Sequence, residues 1–236
     1  MGDTRASVTV LARTGSDGSG LVRALVEVPP AGRHVGAAGG GGELWFVIQG
    51  SGRLDVDGAP GPVLVPDRGL WMPAGASYRA ECDTAGGLRL DIVALPATSS
   101  WPAAASTRPK AHRAGMLSRD LRDCPVETTG DRKFRVLFGP GRDCAAATQF
   151  VGEIPPGRAP MHSHPYDEVV LVLQGSGVAH AGGADRALSA GTCLHLPPGL
   201  AHCLENTGSQ AMRVLGVFHP ADSPAAKLPG SAAAPG

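Results

Sequence analysis

The sequence lacks an excess of charge of either sign, because 21 lysines and arginines balance 21 aspartates and glutamates. A chain without a basic stripe or a helix-turn-helix signature is not expected to bind nucleic acid. No apolar run approaches the roughly 18 residues that a membrane-spanning helix needs, and the N-terminus has no apolar core typical of a signal peptide. We therefore expect a soluble, cytoplasmic protein with neither a nucleic-acid nor a membrane partner.

A disulfide framework is also lacking. The five cysteines are an odd number and none has CxxC spacing. Such cysteines are predicted to be reduced thiols, most of them small buried side chains. Neither a disulfide scaffold nor a Cys-rich zinc site is expected.

Turn residues, in contrast, are abundant. Glycine occurs 34 times and proline 21 times, while charged residues make up only 18% of the chain. This composition predicts many short strands joined by turns and few helices. The modest helical candidates are the stretch around Leu117 to Leu121 and the last residues before the tail.

Two blocks of sequence occur twice in the same order. ELWFVIQGSG from Glu43 is repeated as EVVLVLQGSG from Glu168, an offset of 125 residues, and MPAGASYRAE from Met72 is repeated as LPPGLAHCLE from Leu196, an offset of 124. Repeats at nearly one offset predict two copies of one β unit. Each copy has the strand and turn signals of an antiparallel barrel or sandwich.

The repeat and the changes in composition predict the domain boundaries. We assign residues 1–105 to an N-terminal barrel, 106–119 to a Pro-rich linker, 120–222 to a C-terminal barrel and 223–236 to a disordered Ala/Pro/Gly tail.

Metal-ligand residue types cluster in the C-terminal copy. His162, His164 and Glu168 precede or open an apolar strand, and His202 follows the turn Pro197-Pro198-Gly199. Three imidazoles and one carboxylate suit Fe, Mn, Ni, Zn or Cu, and the set alone does not choose among these metals. Four protein ligands leave one or two positions open, as a catalytic metal requires. We expect one divalent transition metal per chain.

The spacing around these residues resembles the two signature motifs of the cupin superfamily. The first is Gly157-x4-His162-x-His164-x3-Glu168-x6-Gly175, with one residue fewer after the first glycine, and the second is Gly191-x5-Pro197-x-Gly199-x2-His202-x3-Asn206. The resemblance extends over about residues 20 to 222. It implies an all-β protein of two tandem antiparallel jelly-roll barrels, a bicupin, with the four residues named above as metal ligands.

The N-terminal copy departs from that pattern. Its equivalents of the three histidines are Ala37, Gly39 and Tyr78, and only Glu43 remains of the four ligands. One carboxylate does not hold a transition metal, so we expect a degenerate, metal-free barrel with a structural role.

Two residues are candidates for catalysis. Glu168 combines the abilities of a metal ligand and a proton acceptor. His195, whose equivalent in the first copy is Trp71, either contacts the site or lies on the outer face of the barrel.

The function implied by the resemblance is that of a metal-dependent enzyme acting on a small organic molecule, with a dioxygenase-type oxidoreductase favoured. The alternatives are an isomerase, lyase or hydrolase on the same site, or a cupin that binds a small molecule without turnover. Exposed sheet edges in such barrels favour a homodimer.

Overall fold

Short strands make up nearly all the regular structure in the computed structural model, which describes residues 4–15, 20–97, 116–142 and 144–225. Within these ranges there are twenty strands and a single 3₁₀ helix, Leu121–Asp123. The chain divides into two units, Met1–Asp123 and Cys124–Gly236. No helix in the described ranges has the length and apolar character needed to cross a membrane.

The first unit contains two antiparallel sheets, ordered β1-β2-β9-β4-β7-β10 and β3-β8-β5-β6. Their strands are β1 (Ser7–Arg13), β2 (Val22–Val28), β3 (Arg33–Ala37), β4 (Glu43–Gln49), β5 (Gly52–Val56), β6 (Ala59–Pro60), β7 (Arg68–Met72), β8 (Ser77–Cys82), β9 (Leu88–Ala94) and β10 (Leu117–Asp120).

The second unit also has two antiparallel sheets, ordered β11-β12-β13-β20-β15-β18 and β14-β19-β16-β17. Its strands are β11 (Glu127–Thr129), β12 (Arg132–Phe138), β13 (Thr148–Ile154), β14 (Gly157–Arg158), β15 (Asp167–Gln174), β16 (Ser176–Ala181), β17 (Ala184–Ser189), β18 (Cys193–Leu196), β19 (His202–Asn206) and β20 (Met212–His219).

The two units repeat one strand plan. The order β1-β2-β9-β4-β7 in the first corresponds to β12-β13-β20-β15-β18 in the second, and β3-β8-β5-β6 corresponds to β14-β19-β16-β17. A register shift also recurs, between Val47 and Gln49 in β4 and between Val172 and Gln174 in β15. The predicted fold class, an all-β chain of tandem antiparallel jelly-roll barrels, is confirmed.

Apolar side chains fill each barrel because alternate residues of a strand face the same side. In the second unit, Val170 and Val172 of β15 pack with Leu194 and Leu196 of β18 in one core cluster. A second cluster contains aromatic side chains: Phe134, Val136, Phe150, Tyr166 and Phe218. The face of β15 that carries Val170 also carries Glu168, so strand parity directs this carboxylate into the barrel.

The predicted boundary between the domains needs correction. Leu117–Asp120 forms an antiparallel strand against Arg68 to Trp71, so the last residues of the predicted linker belong to the first unit. The helical candidate around Leu117 is wrong for the same reason, since hydrogen bonds to a sheet edge outweigh a weak local preference. Residues 106–115 of the linker and 226–236 of the tail lie outside the described residues.

Candidate metal centre

Backbone hydrogen bonds join the two segments that carry the candidate ligands. The amides of His162 and His202 each donate to the carbonyl of the other, at 3.0 and 2.8 Å. The amide of Gly199, in the turn before β19, donates to the carbonyl of His164 at 2.9 Å. A positive φ of 77° at Gly199 explains why glycine follows the prolines there. The spacing within both motifs thus fixes His162, His164 and His202 side by side.

Three of the four predicted ligands present their donor atoms to one another closely. Within the described ranges, His164, Glu168 and His202 form the one group whose possible ligand atoms all lie within 4.8 Å of each other, and all three are buried. His162 is half-buried and lies outside that limit, although its ring centroid is 4.5 Å from that of His202. All four side chains line one cavity.

The hydrogen bonds of the histidines fix their tautomers. Nδ1 of His162, His164 and His202 faces the backbone carbonyls of Pro160, Tyr166 and Leu200 at 3.1, 2.9 and 2.9 Å. A carbonyl oxygen only accepts, so Nδ1 carries the proton in each neutral ring and Nε2 keeps its lone pair. Metal-ligating histidines are oriented in this way by a second hydrogen bond.

Burial keeps two of these rings neutral. It lowers the pKa of His162 to about 4, and the electrostatic influence of the nearby His202 and Arg132 acts in the same direction. Burial also lowers the pKa of His202. At neutral pH these imidazoles are therefore unprotonated at Nε2 and available to a metal.

The donor atoms of His164 and Glu168 test whether a metal fits. Nε2 of His164 lies 2.9 Å from Oε2 of Glu168, yet this buried nitrogen has no hydrogen-bond partner within the described residues. A neutral imidazole and a carboxylate held this close are two electron-pair donors that repel one another unless they share a cation, which is either a proton or a metal ion. The residues present therefore fit a divalent transition metal, with His162, His164, Glu168 and His202 as its ligands.

Aromatic side chains support the centre from one side. The Tyr166 ring stacks on His164 with centroids 4.2 Å apart and on Phe218 at the same separation. Tyr166 is 4% exposed, and its burial raises the pKa of its phenol well above the usual range. The stack holds the His164 ring in place and contributes an apolar wall. The sequence placed Tyr166 beside the motif but gave no signal of this stacking.

The cavity itself has a volume of about 80 Å³ and mixes these ligands with apolar and aromatic walls. Phe134, Phe150, Val170 and Leu196 contribute much of that wall, and Pro224 lines it as well. Gly216 leaves room for the Phe150 ring, since a Cβ at this position would clash with it. Phe134, Phe150 and Phe218 are all buried.

In the N-terminal barrel, Glu43 makes different contacts from its counterpart Glu168. Its Oε2 accepts a hydrogen bond from Nε1 of Trp45 at 2.8 Å. Tyr78, in place of the third histidine, packs edge-on against Trp45 with centroids 4.7 Å apart. All three side chains are buried. Bulky aromatic rings thus occupy the part of this barrel where the other unit has imidazoles.

His195 lies outside the site. It pairs with Val169 in the sheet, so its side chain projects from the face opposite to Glu168 and Val170. Its Nε2 lies 2.7 Å from Oδ1 of Asp167, and it does not line the cavity. The catalytic role predicted for His195 is therefore wrong for this cavity, because strand alternation turns it outward. The alternative interpretation, an outer-face residue, agrees with the structure.

Part of the C-terminal unit matches a protein-family model. Residues 150–218, which contain all four candidate ligands, match the family model described as Cupin domain. No curated protein matches the chain.

Solved structures with the same fold cover both units. A cupin 2 conserved barrel domain protein from Leptotrichia buccalis is 13% identical with a TM-score of 0.62, and the match covers 93% of this chain and 91% of that one. A putative glyoxylate-induced protein from Pseudomonas aeruginosa is 16% identical with a TM-score of 0.71, and the match covers 90% of this chain and 79% of that one. Oxalate decarboxylase from Bacillus subtilis, a protein with Mn(II) centres, is 13% identical with a TM-score of 0.70, and the match covers 94% of this chain and 74% of that one. At these identities the likeness shows the fold alone.

Proposed function

We propose that the C-terminal unit is a metal-dependent enzyme that acts on a small organic molecule, with one divalent transition metal held by His162, His164, Glu168 and His202. The observation that carries the proposal is the convergence of buried ligand atoms of His164, Glu168 and His202 within 4.8 Å of one another, with Nε2 of His164 2.9 Å from the carboxylate of Glu168. Such an arrangement is costly without a cation and ordinary with one.

The protein's own side chains supply positioning, a dry environment and a proton acceptor. The backbone carbonyls of Pro160, Tyr166 and Leu200 orient the imidazoles. Aromatic and aliphatic walls exclude water, which strengthens electrostatic interactions within the cavity. Glu168 is the buried carboxylate at the cavity and can accept a proton from a bound molecule. When bound, a transition metal would supply Lewis-acid or redox chemistry.

Among reaction classes we favour a dioxygenase-type oxidoreductase. Support comes from the ligand set, which leaves one or two coordination positions open, and from the cavity beside it. The same ligand set also serves an isomerase, a lyase or a hydrolase. It would also suffice for a cupin that binds a small molecule without turnover. Oxygen consumption separates these classes.

The test is an oxygen-electrode screen of the full chain loaded with Fe(II), Mn(II) or Ni(II), against catechols, flavonols and small keto acids. We expect metal-dependent oxygen uptake with at least one substrate class, and its loss in His164→Ala. His195→Ala is the matched control, because it removes an imidazole from the outer face and should keep both metal and activity. Turnover without oxygen would shift the assignment to an isomerase, lyase or hydrolase. A ligand bound and returned unchanged would favour the binding protein.

A homodimer and a cytoplasmic location belong to the same proposal. Strand β1, at the edge of its sheet, exposes Val8 and Val10, which are 55% and 46% accessible. Exposed apolar edges are often covered by association. Light scattering at micromolar concentration should give twice the chain mass, and a strict monomer would refute the dimer.

A further inference from the structure

One arginine faces the cavity of the C-terminal unit from the sheet that carries the aromatic wall. Arg132 is the first residue of β12 and pairs with Thr129 across a two-residue turn, Gly130 and Asp131. The positive φ of 63° at Gly130 suits such a tight hairpin. Arg132 shares its face of the strand with Phe134 and Val136, which belong to the inner aromatic cluster. Its side chain accordingly lines the cavity.

The guanidinium of Arg132 has no anionic partner in the described chain. Its Nε is buried and makes no hydrogen bond. Arg68 and Arg89 also have a buried Nε without a hydrogen bond, but each forms an ion pair. A terminal nitrogen of Arg68 lies 3.7 Å from Asp120, and Nε of Arg89 itself lies 3.2 Å from Glu27. Arg132 differs in lacking any such pair. Desolvating an arginine donor without a compensating bond is unfavourable, so a missing acceptor is implied.

Four charged side chains line the cavity: Arg132, Lys133, Glu153 and Glu168. Glu153 is opposite Lys133 in the sheet, and strand alternation places both on the other face of their strands from Arg132. The carboxylate that faces inward with Arg132 is Glu168, which lies against His164. Arg132 is thus a cation that lines the same cavity as the candidate metal ligands, and its Nε lacks a hydrogen-bond acceptor.

The surrounding wall sets the character of a ligand that would complete the site. Phe134 and Phe150 are on the same inner face as Arg132, and their rings are 4% and 9% exposed. An apolar or planar body packs against such rings, while one anionic group is needed to satisfy the guanidinium. The forked N–H groups of arginine match a carboxylate in a bidentate geometry.

Resting on the proposed function, we infer that Arg132 binds the carboxylate of the substrate and orients its apolar body between the phenylalanine rings and the metal ligands. The substrate class is therefore a small monocarboxylate with an apolar or aromatic body. A phosphate ester fits less well, because its doubly charged, strongly hydrated group would have to lie against the apolar, aromatic walls of the cavity.

The experiment compares benzoate with benzamide, a neutral molecule of nearly the same shape, by titration calorimetry. Both are titrated into the Zn(II)-loaded full chain and into the EDTA-treated full chain, with zinc content measured in every sample. We expect Arg132→Met to weaken benzoate binding by about tenfold or more, which is the effect of losing a charge-assisted hydrogen bond. Benzamide should bind weakly and equally to the wild type and to this variant.

Two further variants make the comparison specific. Arg132→Lys keeps the charge but removes the planar fork, so we expect intermediate benzoate affinity, and it preserves the readout if Arg132→Met fails to fold. Arg186→Met is the matched control, since it removes the same charge from exposed strand β17 away from the cavity. It should leave benzoate affinity unchanged.

The outcomes separate this inference from the proposed function. Equal benzoate affinity in the wild type and Arg132→Met, or no benzoate binding in either metal state, overturns the role of Arg132 even if the protein is an active metalloenzyme. Tighter binding of inorganic phosphate than of benzoate overturns the assigned substrate class. Failure to retain zinc overturns the metal centre, while the EDTA-treated samples still decide the role of Arg132.

Discussion

At the scale of single residues, two glutamates at equivalent positions of the repeat show how neighbours determine chemistry. Glu43 accepts a hydrogen bond from the Trp45 indole, and burial raises the pKa of its carboxyl. Glu168 instead lies 2.9 Å from Nε2 of the His164 imidazole. The same residue type is therefore a structural acceptor in one barrel and a candidate metal ligand in the other.

This contrast provides a matched pair of substitutions. Glu168→Gln should weaken metal binding yet keep part of the metal, because an amide oxygen is a poorer ligand than a carboxylate. Activity should fall further, by roughly 10²- to 10⁴-fold, if Glu168 also accepts a proton. Glu43→Gln should leave metal content and activity unchanged. Metal content by mass spectrometry and turnover per bound metal check both, and equal losses of metal and activity would remove the proton-transfer role.

A buried ion pair in the N-terminal unit gives a second test at this scale. Nε of Arg23 lies 2.6 Å from Oδ1 of Asp91, and a second guanidinium nitrogen lies 3.0 Å from Oδ2, with both side chains fully buried. Burial raises the pKa of Asp91 and the arginine opposes this. Arg23→Met should cost about 3–5 kcal/mol of unfolding free energy, because it leaves a buried charge unpaired. Urea denaturation of Arg23→Met and of the double variant with Asp91→Leu checks this, and the double variant should recover much of the loss.

At the scale of elements, the repeated Gln-Gly-Ser-Gly segment is explained by turn geometry. Gly50 and Gly175 have positive φ values of 81° and 92°. The second glycine of each copy lies against a carbonyl of the neighbouring strand, Gly52 against Glu81 and Gly177 against Glu205. Both glycines are needed for the hairpin that follows the buried strand, so this part of the repeat concerns folding rather than chemistry.

A single methyl group tests that explanation. A Cβ at Gly177 would clash with the carbonyl oxygen of Glu205, so we expect Gly177→Ala to cost about 1–3 kcal/mol, the range for overpacking a close contact. Gly39→Ala is the control, because nothing lies within 4 Å of a Cβ there. Thermal unfolding of both variants measures the difference, and similar melting temperatures would contradict the close-contact explanation.

The contacts of His180 with side chains of two neighbouring strands predict that the stability of the protein depends on pH. His180 of β16 places Nδ1 2.6 Å from Asp185 of β17 and Nε2 2.8 Å from Glu205 of β19. Hydrogen bonds to Glu205 and then Asp185 raise its pKa above 6.5. A group with a raised pKa in the folded state stabilises it fully below pH 6.5, and this contribution is lost as pH rises through the raised pKa.

Two measurements check the behaviour of His180. Its imidazole resonances should titrate above pH 6.5 in NMR spectra of the folded protein. The difference in melting temperature between the wild type and His180→Gln should shrink as pH rises from 6 toward 9. A difference that grows with pH would show that the neutral ring, and not the imidazolium, is the stabilising form.

At the scale of the whole molecule, sequence patterns predicted the features that depend on the order of residues. They missed the features that depend on which side of a strand a side chain faces. The repeat predicted two similar β units, and the motif spacing predicted which side chains would meet, because hydrogen bonds between the two motifs fix their separation. The sequence left undecided whether His195 faces into or out of the barrel, because no pattern in the four residues of β18 distinguishes the two sides. Arg132 carried no signal at all, because its role depends on the absence of a partner in three dimensions.

Metal stoichiometry is the prediction that involves the complete chain. We expect close to one ion per chain by elemental analysis, because Gly36, Ala38 and Tyr78 stand where the first barrel would need histidines. The structure shifts the predicted equivalents Ala37 and Gly39 by one residue, since Gly36 pairs with Tyr78 as His162 pairs with His202, and Gly75 donates to the carbonyl of Ala38 as Gly199 does to that of His164. His164→Ala should lose most of this metal, since loss of a ligand should exceed the roughly 10- to 100-fold effect of removing a partner that orients one. The variant should nevertheless retain its β-sheet circular dichroism and a cooperative melt, because apolar cores within each barrel supply most of the buried area. Two tightly bound ions per chain would contradict the metal-free first barrel, and an unfolded His164→Ala would assign the metal to folding rather than to chemistry.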